Sequence, residues 1–306
     1  MQSVRIPDFF IVGAPKCGTT ALYRYLLQHP EVYMPQRKEP HYFCPDLRSP
    51  RYVHDEAGYL ALFQHSGDAK RVGEASVFYL YSKESAHRIK AFAPDADIIV
   101  MLRDPVAMIH SLHNQRLYGG YEDIADFAEA VAAEEDRRAG RRIPRHGTPV
   151  QALYYRQVGS YAAQVRRYLD VFGHGRVHVI LHDDLVSREP EVYAGVCRFL
   201  RIDETHRPNF ETVNPSKRIR SSVLRDLFKF SPAVKKATRR LLPQSIRQEL
   251  ARRFVSWNTR VEVRAPMPAE LKRDLYTWFA PDVAELASLI NRDLKHWMEP
   301  RSTGSG

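Results

Sequence analysis

The chain has 306 residues, 44% of them hydrophobic, and a formal net charge of +10. That length suits one large α/β core or two small domains, and the charge suits polyanionic partners without choosing among them. No apolar run nears the ~20 residues needed to span a bilayer, the N-terminus shows no signal-peptide anatomy, and Cys17, Cys44 and Cys197 have spacings that indicate neither a disulfide framework nor a metal site.

Phe9 to Val12 is a bulky apolar run and predicts a buried strand. Gly13 to Gly18 follows as a short loop with two glycines, a proline and Lys16. Thr19 and Thr20 sit where a helix begins, and that helix should stop near His29-Pro30. Strand, glycine loop and helix N-terminus make an anion cradle: glycines admit the ligand, and N–H groups and the helix dipole favour negative charge. The loop is not a Walker A motif, because Lys16 precedes the last glycine instead of following it.

Glu31 to Phe43 holds Pro35 and Pro40 and cannot be one long helix. Residues 52–66 look helical, with Tyr59 and Phe63 four apart, and Lys70 to Ser76 predicts a second strand. Ile98 to Leu102 predicts a central parallel strand, with Arg103 at its carboxyl end, where ligands bind in open α/β sheets. Asp104 and Pro105 then open a helix. An Arg103–Asp104 ion pair is the plain alternative to an anion site there. Ile124 to Arg145 reads as a solvated charged helix followed by a basic loop. A helix over 159–172, a buried strand over 176–185 and a helix over 192–200 come next. Residues 223–255 predict a basic amphipathic surface helix, which leaves peripheral membrane contact open. Helices should fill Pro268 to Met298. Residues 1–299 are taken as one domain and 300–306 as a flexible tail.

Gly-Ala-Pro-Lys-Cys-Gly-Thr-Thr, residues 13–20, resembles the 5′-phosphosulfate loop of sulfotransferases that use 3′-phosphoadenosine 5′-phosphosulfate (PAPS) and release adenosine 3′,5′-bisphosphate (PAP). The resemblance implies that Lys16, Cys17, Gly18, Thr19, Thr20 and Ala21 bind the donor, with Lys16 on the leaving phosphate. Leu-Arg-Asp-Pro, followed by a serine eight residues after its arginine, resembles the same family's 3′-phosphate site and implies that Arg103 and Ser111 hold that phosphate. Lys-Glu-Pro-His-Tyr-Phe, residues 38–43, resembles the Glu-x-His-Phe-Phe segment of heparan-type members. It implies Glu39 as the catalytic base, with His41 as an orienting neighbour or reserve base. An alcohol needs such a base during attack. By the same resemblance Glu74 and Ser76 line the acceptor site, and Lys217, Arg218 and Arg220 belong to a late basic loop over the nucleotide, although its usual glycine is missing.

The implied fold is a parallel sheet flanked by helices, built like a P-loop nucleotide kinase. The implied reaction is in-line sulfuryl transfer to a hydroxyl of a glycan, lipid or secondary metabolite, without a metal and without a nucleic-acid partner. A cytoplasmic location is expected. Animal glycan enzymes of the family carry a Golgi anchor, so a bacterial enzyme or an excised catalytic domain is expected here. Two rivals stand beside this reading: a P-loop kinase or ATPase, and a non-catalytic binder of nucleotides or acidic glycans. Oligomeric state is not legible.

Overall fold

The computed structural model describes residues 5–210, 217–219, 253, 259–261 and 267–299. Five strands form one parallel sheet: β1 (Phe9–Gly13), β2 (Val32–Tyr33), β3 (Arg71–Ala75), β4 (Asp97–Leu102) and β5 (Val177–Leu181), in the order β2-β3-β1-β4-β5. Phe9 to Val12 and Ile98 to Leu102 are all 0% exposed. Successive strand residues point to opposite faces, so both faces of the central sheet are covered, as parallel connections require. Each large side chain buried there contributes ~1.5–3 kcal/mol.

The helices are α1 (Thr19–Leu27), α2 (Glu56–Leu60), α3 (Ser85–Phe92), α4 (Pro105–Gly119), α5 (Phe127–Ala132), α6 (Glu134–Arg138), α7 (Tyr155–Gly159), α8 (Ala162–Phe172), α9 (His182–Ser187), α10 (Glu189–Leu200) and α11 (Ala269–Leu289). A two-stranded antiparallel pair, β6 (Lys217–Ile219) with β7 (Thr259–Val261), lies apart from the main sheet in pairing, and the backbone of β6 packs near α4. Among the described residues no helix is long and apolar enough to cross a membrane.

Several elements are shorter than their apolar spacing suggests. Asp55 accepts a hydrogen bond from Gly58 N at 2.7 Å, so the helix expected over 52–66 starts only at Glu56, and it ends in a 3-10 turn, Ala61–Phe63. The strand expected over 176–185 stops at Leu181, where the chain turns into α9. The helix expected from Val192 begins at Glu189, with Pro190 in its first turn. Most of 268–298 is the single helix α11.

The charged stretch 124–145 departs furthest from expectation. It forms two short helices, and two of its charges, Glu134 and Arg137, are buried. Arg137 is 1% exposed and sits 2.7 Å from the buried Glu122, whose other oxygen accepts from Tyr155 OH at 2.7 Å. A charge run read only along the chain hides a partner that lies outside the run. The surface helix expected over 223–255 falls outside the described residues, apart from Arg253.

Candidate active site

β1 and β4 are neighbours, so the loops leaving their carboxyl ends emerge side by side. A Cβ on Gly13 would lie 2.6 Å from the Val77 carbonyl oxygen, a backbone atom that cannot step aside. Gly13 has φ 147, Lys16 φ 64 and Gly18 φ 90, which lets the chain turn sharply. Ala14 N donates to Met101 O at 2.6 Å and ties the loop to β4. No side chain caps α1, so its first N–H groups have no partner inside the helix and its positive end faces the loop. Thr19 is buried, while Thr20 and Ala21 are half-buried at this end.

Cys17 lies under the loop as a fully buried free thiol. Burial pushes its pKa up to about 12, against the pull of Arg103, Tyr161 and Lys16. The thiol is therefore protonated and not a nucleophile. Arg103 and Lys16 both lie near enough to act on this one group. His182 extends the same edge beyond β5. Its Cδ2 lies 3.7 Å from where a Cβ on Gly18 would sit, and burial, helped by the Arg103 charge, lowers its pKa to about 4.

Arg103 is half-buried and makes no hydrogen bond or ion pair among the described residues. The plain pairing with Asp104 does not form. Asp104 Oδ1 caps α4, accepting from Val106 N at 2.9 Å and Ala107 N at 3.3 Å, and Oδ2 accepts from Tyr276 OH at 2.6 Å. A half-buried guanidinium without a counter-ion at a strand end is suited to a phosphate. Ser111 is 2% exposed and lies nearly two turns into α4. The side chains of Lys217 and Arg218, and the whole of Arg220, lie outside the described residues; only the backbone of 217–219 is placed, near α4.

The segment with Glu39 and His41 is pinned to the end of β3. Glu39 N donates to Ala75 O at 2.9 Å, and His41 N donates to Ser76 Oγ at 3.0 Å. Ser76 N donates to Ile11 O of β1 at 3.0 Å. Glu39 and Lys16 thus hang from adjacent strands, ~4.8 Å apart in the hydrogen-bonding direction. Glu39 has φ 62 and His41 φ 53. Such a backbone costs a non-glycine residue roughly 1–3 kcal/mol and persists where the surroundings enforce it. Lys16, Glu39 and His41 are three of the six described non-glycine residues with positive φ, so strain gathers at the residues singled out by their motifs.

The Glu39 side chain is 41% exposed. Lys38 Nζ lies 2.8 Å from its Oε1, and His41 Nε2 lies 3.6 Å from its Oε2. Burial pulls the Glu39 pKa up, but Lys38 and then His41 outweigh it and hold the carboxyl well below its usual range. His41 is 4% exposed and packs on Tyr52, with ring centroids 4.4 Å apart. Burial lowers its pKa more than Glu39 raises it, so the ring is neutral near pH 7.

Glu74 and Ser76, expected to touch the acceptor, are each 0% exposed and lie beneath this segment. Glu74 Oε2 accepts from Tyr79 OH at 2.7 Å and Tyr59 OH at 3.2 Å, and burial raises its pKa to about 7. Ser76 spends its hydroxyl on His41 N. Both residues support the loop from below, since both faces of the sheet are covered at this end of β3.

A carboxylate beside an ammonium in the segment pinned to β3, a lysine in the glycine loop after β1, and an arginine just after β4 with no partner among the described residues thus share one edge. The family model for the sulfotransferase domain matches residues 6–223. The chain belongs to the sulfotransferase family. This sulfotransferase is 33% identical to a sulfotransferase from Alicyclobacillus acidocaldarius, covering 97% of this chain and 100% of that one, with a TM-score of 0.71. It is 28% identical over 299 residues to carbohydrate sulfotransferase 15 of Rattus norvegicus, covering 73% of this chain and 51% of the relative. It is 29% identical over 188 residues to heparan sulfate glucosamine 3-O-sulfotransferase 6 of Homo sapiens, covering 60% of this chain and 48% of the relative. The chain spans about half the length of the curated relatives it matches.

Two residues of this sulfotransferase's site went unread in the sequence. Lys38 lies inside a motif that was read, directly before Glu39. His182 follows the last residue of β5 as Arg103 follows the last residue of β4, and the strand-end rule that singled out Arg103 finds it too.

Proposed function

We propose that this sulfotransferase moves the sulfuryl group of PAPS to a carbohydrate hydroxyl, with Glu39 as the base. The single observation that carries the donor assignment is that the Lys16 loop and Arg103 leave the carboxyl ends of the adjacent strands β1 and β4, held together by Ala14 N donating to Met101 O at 2.6 Å, which suits one nucleotide bridging the two. The cradle fits a phosphate: glycine is required at Gly13 by contact, and Arg103 has no partner of its own among the described residues. The 28–29% identical relatives named for carbohydrate and heparan sulfate transfer support a glycan acceptor.

PAPS, when bound, supplies a sulfur whose bond to the 5′-phosphate oxygen breaks as the acceptor oxygen bonds to it. Lys16, the loop N–H groups, Thr19 and Thr20 neutralise the charge gathering on the phosphate side, and they are fixed before the reaction begins. Arg103 and Ser111, with Lys217 and Arg218 of β6 and Arg220 after it, hold the 3′-phosphate. Glu39 takes the hydroxyl proton. Its lowered pKa keeps it ionised, and its partial exposure makes it the base in preference to the sealed His41, which orients it.

Radiolabelled sulfate transfer from PAPS across glycan, lipid and phenolic acceptors tests this directly, and the glycan arm should respond. Calorimetry should show PAP binding far more tightly than AMP. Magnesium-dependent ATP turnover instead would favour the kinase reading. A cytoplasmic site of action belongs to the same proposal and is tested by cell fractionation.

A further inference from the structure

The buried Arg137 and the partly buried Arg71 both have carboxylate partners. Arg137 faces Glu122, and Arg71 faces Asp8 and Asp97. Arg116 on α4 is different. It is 6% exposed, and among the described residues no carboxylate lies within ion-pair distance of it. Its Nη1 donates to Thr148 O at 3.4 Å, while Nε and Nη2 are buried without any partner. Those two donors occupy one edge of the guanidinium and point in parallel, the fork that matches two oxygens of a carboxylate or a sulfate.

Aromatic rings offset part of the burial cost. The Arg116 Cζ lies 5.5 Å from the Phe78 ring centroid and 5.7 Å from that of Tyr121. Ring faces do not fill edge donors. Phe78 also packs on His41 at 5.9 Å, and the Arg116 charge is felt at His41 and Tyr52, so the empty fork sits about one ring away from the Glu39 pair. The exposed Arg51 lies against the same tyrosine, its Cζ 4.1 Å from the Tyr121 centroid, and donates to Tyr121 OH. Arg51 too has no carboxylate partner among the described residues. Two like charges therefore lie against one tyrosine, with no carboxylate at ion-pair distance from either among the described residues. A donor role does not fit, because Arg116 lies about 16 Å along α4 from the end that carries Arg103.

We propose that Arg116 is the specificity-determining receptor for an oxyanion carried by the acceptor, a sugar carboxylate or a sulfate ester, with Arg51 moving off Tyr121 to admit it. This rests on the reading of the Glu39 side as the acceptor side.

Calorimetry on the PAP-loaded protein tests it with three probes: a uronate-containing disaccharide, its carboxyl-reduced counterpart, and that neutral disaccharide bearing one sulfate ester. At least one acidic probe should bind about tenfold or more tightly than the neutral one, the scale of a bidentate charged contact. Arg116→Lys keeps the charge but loses the fork, and it should bring that preference close to one while PAP affinity holds. The arm that responds tells carboxylate from sulfate. Equal binding of all three probes by the wild type, or a preference that survives Arg116→Lys, overturns the proposal. Arg51→Ala is the surface variant that cannot be blamed on misfolding; it should weaken the acidic probes selectively, and an unchanged preference counts against the entry route. Arg116→Met should raise the melting temperature, since an unpaired buried charge is held at a cost; a fall would mark a structural arginine and overturn the proposal. If PAP itself fails to bind, the donor assignment fails separately, and the three probes are run on the protein alone.

Discussion

The two halves of the sheet edge manage charge by opposite means. At β1 and β4 the work falls to the backbone: a glycine loop and an uncapped helix start, with Lys16 in the loop and Arg103 at the end of the neighbouring strand. At β3 the protein answers charge with side chains of its own. Glu39 meets Lys38, and Glu74 meets Tyr59 and Tyr79. A site for a constant ligand such as a nucleotide phosphate can be built from main-chain geometry. A site that must hold a base in one protonation state needs neighbours chosen one by one.

The sharpest way to break this contrast is to disable each half separately. Lys16→Ala and Glu39→Gln should each lower turnover on the order of 10²-fold or more. Only Lys16→Ala should weaken PAP binding in calorimetry. Equal loss of PAP affinity in both would mean that the halves are not distinct, and full activity in Glu39→Gln would move the base to His41. Arg103→Ala should cost roughly 10- to 100-fold in PAP affinity, the worth of charged hydrogen bonds, with little effect on AMP. A parallel loss for both nucleotides would remove Arg103 from the 3′-phosphate.

On the acceptor half, Glu74 makes a stability prediction. Its folded pKa of about 7 lies above the ordinary 4.5, so the folded state binds the proton more tightly. Its stabilising contribution is fully present below about pH 4.5 and is lost as pH rises through 7, a change on the order of 3 kcal/mol. Glu74→Gln should therefore gain in melting temperature relative to the wild type between pH 4.5 and 8; parallel curves would show that Glu74 does not titrate there. The smallest effect is expected from Lys38→Met. Without the ammonium that offsets burial, the Glu39 pKa rises, and the acid limb of the pH–rate profile should move up by about one pH unit or more. An unmoved limb would mean that Glu39 is not the group being titrated.

Much of the donor half was legible because it is contiguous. Phe9 to Gly18 carries the strand, the turn and the lysine in ten residues, and local rules cover all of them. The acceptor half was legible only in part. Glu39 and His41 share a motif, but their left-handed backbone and the Lys38 pair show only in the folded chain. Glu74 and Ser76 were placed in the right region with the wrong exposure. Period-2 alternation gives two faces, and nothing in a short run tells which face meets solvent when both sides of a sheet are covered. The charged stretch near Arg137 misled for a related reason, since Glu122 lies outside the run that suggested a solvated helix.

By itself the sequence determined the buried strands, the glycine cradle with Lys16, and Arg103 at a strand end, because strand periodicity, turn chemistry and helix starts act over a few neighbouring residues, while the parallel α/β architecture came from the family resemblance. The tertiary structure alone decided that the strands leading to Lys16 and Arg103 are neighbours, that Glu74 is sealed beneath the site, and that Arg116 is buried with two idle donors. Those facts depend on which strands lie next to each other and on what the core excludes from water, and residues far apart along the chain settle both.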